Sequence, residues 1–453
     1  MVLWQHKIVC YNRMEDDIPS IQYNNLNKPY MKKIIKTINE QLDNAIDIRD
    51  EIAAKNTELR RALNIVEHFL RKTKLPCYGG MAINAHLPAD KKFYDFSKTI
   101  PDYDFYSPNA SQDADKLVVL LKKENFKDIG LRFGVNEGTY KVFVNYHGVA
   151  DITLMVPWLF NKLFKDTIVE DGIHYVSADY LRKCMYLELS RPLGEVERWE
   201  KVYKRLLLLN IYKPVKSLCD AQTDLISLPK NIYSNILKYV IDKEFIFAGT
   251  EIADIYKNPN TKTISLLKTS CPIVAYADEP DTHLSRLKQL ISSENNNVKI
   301  TIVHWKRILN LLPEMYGIKI NGKICIILIE KLFCHSYNTI TIPRYGKLLI
   351  CSLDSVISLY FLLSFRRDID DIVPETALCF AHRLVEISTN TRDKNKPGRY
   401  PSFVLTCSGH QASKETLFAA KAERVKAWRI EEKHKRKTRR LLEKMRNKTK
   451  KNN

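Results

Sequence analysis

From residue 28 to residue 72 the apolar positions fall three and four apart: Ile34, Ile35, Ile38, Leu42, Ala45 and Ile46, then Leu59, Leu63, Val66 and Leu70. That period lays one apolar stripe along each of two helices and predicts a packed helical pair. Between residues 75 and 157 the period shortens, and Val142, Val144 and Tyr146 alternate along Tyr140-Lys-Val-Phe-Val-Asn-Tyr146 as side chains do on a strand. Short strands around a helix are expected there. Helical spacing returns from 176 to 213, and a second mixed stretch runs from 245 to 366. A Lys/Pro/Gly-rich loop, Asp393-Lys-Asn-Lys-Pro-Gly-Arg-Tyr-Pro401, then precedes a charged tail. The longest apolar run, Leu348 to Phe365, is broken by Asp354 and by Ser352, Ser355, Ser358 and Ser364, which fits a buried helix better than a membrane span. The class expected is α+β. Its parts are a helical N-terminal region at 1–72, a mixed domain at 73–190, a helical connection at 191–244, a second mixed domain at 245–395, and a loop with a basic tail at 396–453.

Composition sharpens this picture. A chain of 453 residues at roughly 150 per domain holds two or three domains, and 45% hydrophobic residues exclude a mostly disordered chain. Seventy-two Lys and Arg against 52 Asp and Glu leave a net charge of +20, which predicts a polyanionic partner. The charge is unevenly spread: residues 421–453 carry fifteen Lys and Arg against four Glu, a net +11, and the body keeps +9. Such a tail reads as an arm that tracks phosphates, or as a solvated basic helix or import signal. No apolar run follows Met1-Val-Leu-Trp-Gln-His-Lys7, so no secretory signal is expected. The ten cysteines contain no CxxC pair, and reduced thiols in a cytosolic compartment are the simplest reading. Cys325, Cys334 and His335 lack a second closely spaced pair and read as unrelated core residues rather than metal ligands.

The chemistry concentrates in three segments. Leu75-Pro-Cys-Tyr-Gly-Gly-Met-Ala-Ile-Asn-Ala85 places adjacent glycines, Gly79 and Gly80, between a strand and a helix, where the backbone can approach a phosphate. Ile100-Pro-Asp-Tyr-Asp-Phe-Tyr106 follows; on a strand Asp102 and Asp104 would share one face roughly 7 Å apart, a spacing that can share divalent cations. Asp151, in Gly148-Val-Ala-Asp-Ile-Thr-Leu154, would bring a third carboxylate if its strand neighbours the first. Three convergent carboxylates suit two-metal nucleotidyl transfer. On the helix expected from Glu195 to Asn210, Arg198, Lys201, Lys204 and Arg205 fall on one face opposite Val202, Leu206 and Leu209. That stripe could bind a triphosphate or RNA backbone, or be a solvated face paired with Glu195 and Glu197.

In these residues the sequence resembles the nucleotidyltransferase superfamily of DNA polymerase β and the poly(A) polymerases. With Tyr78-Gly79-Gly80, Asp102-Tyr-Asp104 and Leu189-Ser-Arg-Pro-Leu-Gly-Glu-Val-Glu-Arg-Trp-Glu-Lys-Val-Tyr-Lys-Arg205, it looks like the poly(A) polymerase catalytic subunits of large nucleocytoplasmic DNA viruses, of mimivirus type and more distantly of poxvirus type. The resemblance implies a polymerase β-like domain that extends mRNA 3′ ends with ATP and two Mg2+ or Mn2+ ions. By the same resemblance Gly79 and Gly80 contact the nucleotide, while Asp102, Asp104 and Asp151 hold metal. It implies the host cytoplasm, in a viral factory or virion, and a homodimer or a viral stimulatory subunit as partner. One departure is the 21-residue gap between Gly80 and Asp102, where about ten residues are usual in the superfamily; it reads as an insertion that puts the local turn geometry in question.

A second pattern emerges at an offset of 170 to 175 residues. Phe247-Ala-Gly-Thr lies under Cys77-Tyr-Gly-Gly, Pro272-Ile-Val-Ala-Tyr-Ala under Pro101-Asp-Tyr-Asp-Phe-Tyr, Gly322-Lys-Ile-Cys under Gly148-Val-Ala-Asp, and Cys351-Ser-Leu-Asp under Val176-Ser-Ala-Asp. The second mixed domain is therefore expected to be a degenerate nucleotidyltransferase-like copy with Ile273, Ala275 and Cys325 in place of the acids. The residues leave other acceptors open, as in an oligoadenylate synthase or a tRNA 3′-end enzyme, and also a non-catalytic RNA-binding protein.

Overall fold

The computed structural model describes residues 29–215, 226–227, 229–257, 270–294, 298–308, 312–342, 346–366, 374–393 and 402–451; residues 1–28 and the Lys/Pro/Gly-rich loop at 394–401 lie outside them. Two units divide the chain, one of residues 1–61 and 94–101, the other of 62–93 and 102–453. The 21-residue gap thus gives part of its length to the smaller unit. In that unit helix α1 (Pro29–Ala54) keeps the predicted period, yet Ile34, Ile38 and Leu42 are about half exposed. Within the same unit Arg60 donates to the Phe96 carbonyl at 2.6 Å, and Tyr94 stacks on Phe96.

Helix α2 (Thr57–Thr73) enters the larger unit, where Leu63, Val66, Phe69 and Leu70 are buried as their spacing predicts. There follow β1 (Cys77–Tyr78), α3 (Gly79–Ala85), β2 (Asp104–Ser107), α4 (Ala110–Lys123), β3 (Ile129–Phe133), β4 (Thr139–Val144), β5 (His147–Leu154), α5 (Pro157–Lys165), β6 (Ile168–Glu170), β7 (Ile173–Tyr175) and α6 (Ala178–Leu189). The strands form one mixed sheet in the order β3-β4-β5-β2-β1-β7-β6. Tyr146 is not in the strand its alternation suggested. With Asn145 it takes a positive φ in the turn between β4 and β5.

Helix α7 (Trp199–Tyr212), β8 (Ile226–Ser227) and α8 (Lys230–Asp242) lead to a second sheet. Its elements are β9 (Ile246–Phe247), α9 (Ile252–Lys257), β10 (Ser270–Cys271), β11 (Ile273–Ala277), α10 (Pro280–Glu294), β12 (Ile300–Trp305), β13 (Met315–Ile320), β14 (Lys323–Glu330), β15 (His335–Ile342), β16 (Gly346–Cys351), α11 (Leu353–Phe365), α12 (Pro374–Asp393), β17 (Cys407–Ser408) and α13 (Lys414–Lys451). β8 and β10 pair separately, and the sheet runs β12-β13-β14-β11-β9-β16-β15-β17. Apart from the added β17, this order reproduces the first sheet strand for strand. Ser177 and Ser352 also match, each capping the helix it precedes by accepting from a backbone N–H three residues on.

The registers fix the equivalence and correct the sequence alignment. Tyr175 pairs with Cys77 and Ile350 with Phe247, each two residues before its capping serine, so Phe247 corresponds to Cys77. Cys77 opposes Phe105 and Phe247 opposes Ala275, which sets Val274 at the place of Asp104 and Pro272 at that of Asp102. Phe105 opposes Ile152 and Ala275 opposes Leu328, which sets Ile327 at the place of Asp151. Both β4–β5 and β13–β14 shift register just before this point, giving the hairpins the same bulge. The expected substitutes Ile273, Ala275 and Cys325 were one, one and two residues out of step, and a one-residue slip turns a strand side chain to the opposite face. Pro272, Val274 and Ile327 are equally unable to bind a hard cation, so the second lobe is degenerate at all three positions.

The lobes are joined by helix α6 against α11, and α11 lies against α12. From Asp354 onward every residue of α11 is buried, as expected for the long apolar run. No helix of the described residues is long and apolar enough to cross a membrane. The expectation of reduced thiols throughout is corrected: Cys334 and Cys407 form a disulfide, and Cys379 is also disulfide-bonded. The antiparallel pairing of β15 with β17 brings the Cys334 and Cys407 Cα atoms to 5.5 Å, within bridging range, across a separation of 73 residues that no local pattern reveals. Cys77, Cys184, Cys325 and Cys351 are free, and the Cys325 thiol donates to the Ile318 carbonyl. Cys407→Ser should lower the unfolding free energy by about 2–4 kcal/mol, and reductant, which also opens the bridge at Cys379, should lower that of the unaltered protein by at least as much, as read from urea midpoints.

Candidate active site

At the end of β1 the backbone turns into α3 through Gly79, at a φ of +71°. A Cβ there would lie 2.5 Å from Asp104 Oδ2, so both the conformation and the close approach require glycine. Gly80 follows, buried in α3, whose first turn has no side-chain cap and leaves its amides without a side-chain acceptor. Tyr78 packs below: its ring stacks on Tyr106 at 4.1 Å, and its hydroxyl hydrogen-bonds the Thr153 hydroxyl at 2.8 Å.

Asp104 is the first residue of β2 and lies directly opposite Asp151 on the parallel neighbour β5. Asp102 precedes the strand instead of sharing it, and it is exposed. The ladder nonetheless extends past Asp104, because the Asp151 N–H donates to the Tyr103 carbonyl at 2.9 Å. Tyr103 is buried and held by its hydroxyl donating to Glu67 at 2.7 Å, with Arg71 bonded to the same carboxylate. A buried anchor thus separates the two acids and fixes the backbone that carries both.

Like charges this close raise one another's proton affinity. Burial, then the Asp102 and Asp151 carboxylates, push the Asp104 carboxyl up to about 8. Partial desolvation and then Asp151 raise Asp102 as well. Cations oppose these shifts. Lys141, opposite Asp151 on β4, forms an ion pair with it and lowers both other acids. No sequence reading singled out Lys141; its signal was the alternation of β4 opposite β5, which required the hairpin register.

The four basic residues of the stripe separate. Arg198 ends a short 3-10 turn before α7 and acts on Asp104, while Lys201 acts on Asp102. Arg198 also pairs with Glu188 at 3.1 Å and Glu195 at 3.0 Å. Lys204 pairs with Glu200 at 2.6 Å, and Arg205 lies over the Phe93 ring at 4.9 Å. Val202, Leu206 and Leu209 are buried opposite, as expected, and Arg198 makes with Glu195 a pairing expected of a solvated face. Among the described residues no three His, Cys, Asp or Glu side chains close into a metal-binding cluster. The three carboxylates are neighbours in charge without being a ready-made cage, since Lys141 holds one oxygen of Asp151.

Residues 64–195, which contain all three acids, match the family model of the poly(A) polymerase catalytic subunit. That segment is similar to the poly(A) polymerase catalytic subunits. Relatives provisionally named as such subunits include one from African swine fever virus (strain Badajoz 1971 Vero-adapted), 30% identical over 183 residues, covering 38% of this chain and 38% of the relative. Another, from Acanthamoeba polyphaga mimivirus, is 29% identical over 217 residues, covering 44% of this chain and 35% of the relative. The chain therefore aligns with less than two fifths of the length of these relatives. The fold reaches further: the crystal structure of the Megavirus polyadenylate synthase matches with a TM-score of 0.69 at 17% identity, covering 89% of this chain and 83% of that one. The family segment ends at 195, so Arg198, Lys201, Lys204 and Arg205 lie just beyond it.

The raised Asp104 carboxyl has a consequence for stability. Its folded value, about 8, exceeds the unfolded value of roughly 3.9, so the folded chain holds the proton more tightly; this contribution is full below pH 4 and is lost by pH 8. In metal-free buffer Asp104→Asn should therefore gain stability relative to the unaltered protein between pH 5 and pH 9, as read from paired urea midpoints.

Proposed function

We propose that the protein is a template-independent poly(A) polymerase, transferring AMP from ATP to RNA 3′ ends. The observation that carries the reading is the opposition of Asp104 and Asp151, with Asp102 beside them, inside the segment that matches the family. In the reaction the RNA 3′ oxygen bonds the α-phosphorus, its proton passes to the carboxylate cluster, and the bond to the β-phosphate breaks to release pyrophosphate.

Asp102, Asp104 and Asp151 are the residues that would hold two Mg2+ or Mn2+ ions. The donor set fits: all ligands are carboxylate oxygens, which suit hard cations, and their mutual repulsion calls for positive charge. When bound, such ions would acidify the attacking hydroxyl and take up charge on the leaving pyrophosphate. For the three oxygens to gather, Lys141 has to release Asp151, which frees its ammonium for a phosphate. Gly79 keeps the space beside Asp104 open, and Arg198 and Lys201 border the same cluster as cations for the triphosphate. Lys204 and Arg205 are not among the main charges acting on Asp102 or Asp104, so they are less suited to that role.

The basic helix α13 supplies an RNA arm on this reading. Its 38 residues extend about 57 Å. Arg424 donates to the Val135 carbonyl at 2.7 Å, and Trp428 meets Phe133 edge-on at 6.0 Å, which fixes its first half beside β3 and β4 of the catalytic sheet. A homodimer or a stimulatory subunit, and residence in the host cytoplasm in a viral factory or virion, complete the proposal; the catalytic-subunit name of the relatives supports a partner.

Asp104→Ala should lower AMP incorporation at an RNA 3′ end by roughly two to three orders of magnitude while RNA binding persists. Unchanged extension would remove the assignment. Deleting residues 431–453, beyond the Trp428 contact, should weaken RNA binding and flatten its dependence on salt, with little loss of turnover at saturating primer. Fluorescence anisotropy at several salt concentrations, beside primer-extension rates, reads both effects.

A further inference from the structure

Where α6 meets the second lobe, a small cavity of about 20 Å3 lies among Lys183, Tyr276, Phe333, His335 and Leu359. The seam around it is stitched by backbone: the Ser336 N–H donates to the Ser190 carbonyl, and the Ser358 hydroxyl donates to the Lys183 carbonyl, both at 3.1 Å. The side chains facing inward are less well provided. Lys183 is 5% exposed and His335 4%, and neither ring nitrogen of His335 has a hydrogen-bond partner. Arg191 lies against the wall with its guanidinium 3.3 Å over the Phe333 ring, and its Nε is buried and unpartnered.

No acid lines this cavity among the described residues. The charged neighbours that act on His335 are Arg191 and Lys331, both cations, and Lys331 is itself taken by Asp278 at 2.7 Å. Burial and then Arg191 lower the proton affinity of Lys183, which Cys184 opposes, and the Lys183 ammonium lies 6.0 Å from the centre of the Tyr180 ring. Glu188, the acid that acts on Arg191, pairs with Arg198 on the other side. An ammonium enclosed in protein with no counter-charge is costly and needs a partner. The space is too small for a tetrahedral oxyanion. It does suffice for one monatomic occupant, since a single water needs roughly 10–15 Å3 of such volume.

We propose that this cavity binds one halide ion, chloride in ordinary media, between the Lys183 ammonium and a His335 ring N–H. Burial and the two cations push His335 down to about 3, so the ring is neutral at physiological pH and offers one donor without adding charge. One ammonium then faces one monovalent anion, with Arg191 nearby. The ion sits on the seam between the catalytic lobe and the degenerate one, directly under the helix whose end leads to Arg198. Its effect is to hold the two lobes together, and it is independent of the reaction catalysed.

The test is a crystal of the full chain grown in sodium bromide, with data collected at the bromine absorption edge. An anomalous peak within hydrogen-bonding reach of Lys183 Nζ and the His335 ring is expected; water density without an anomalous signal would overturn the proposal. In parallel, thermal unfolding is compared in sodium chloride and sodium gluconate at equal ionic strength. Chloride should raise the midpoint of the unaltered protein by a few degrees and have no such effect on Lys183→Met. His335→Phe, which keeps a ring against Tyr276, serves if Lys183→Met does not fold. Equal midpoints of the unaltered protein in the two salts, or the same chloride gain in the variants, would also overturn it.

Discussion

Two carboxylates face each other across adjacent parallel strands, Asp104 on β2 and Asp151 on β5, and much of the first lobe exists to hold them there. The arrangement opposes folding, because like charges in a partly desolvated place repel and one of them is driven to keep its proton. The rest of the lobe counteracts that cost. Tyr103 is tied into the core through Glu67, Tyr78 stacks below on Tyr106, and Gly79 makes room that any larger residue would fill. Lys141 answers across the next strand. A site that repels itself and carries cations around it is suited to a polyanionic substrate that arrives with its own cations.

The second lobe shows what the same fold becomes without that burden. Its sheet has the same strand order, the same bulge and the same serine-capped helix after the last strand. With Val274 and Ile327 where the acids stand in the first lobe, β11 is buried throughout and β14 nearly so, whereas β5 is buried only in part. The copy has exchanged a polar cleft for a continuous apolar core. That core supports α11, against which α6 of the first lobe is packed. The positive charge of the chain is divided on similar lines: a structured basic rim near the carboxylates at Arg198 and Lys201, and a long arm that begins beside β3.

How much of this was legible follows the range of the interactions. Gly79, Asp102, Asp104 and Asp151 were visible because glycine beside a helix start and acids on short strands leave local marks. The duplication was visible as an order of elements, but its register was not. A slip of one residue preserves every hydrophobic match in a buried strand while turning each side chain over, which is how Ile273 and Ala275 stood in for Pro272 and Val274. Lys141 required knowing which strand lies beside β5, and the Cys334–Cys407 bridge required knowing that β17 returns to β15. The α1 period marked a helix correctly and could not say whether anything covers its apolar face. The stripe on α7 was read as four equivalent cations. Glu200, one turn before Lys204 on the same helix, was a local mark that could have set Lys204 apart, whereas Arg205 is set apart by the tertiary placement of Phe93.

The central claim is that the carboxylate site of the first lobe adds adenylate to RNA without a template. The most direct test incubates the intact protein with a short single-stranded RNA, Mg2+ or Mn2+, and each of the four nucleoside triphosphates separately, and resolves the products on a denaturing gel. The account predicts a ladder or long tail with ATP, little or none with the other three, and no product when the metal is chelated. Extension that demands a complementary strand, equal use of all four nucleotides, or no extension with any of them would contradict it.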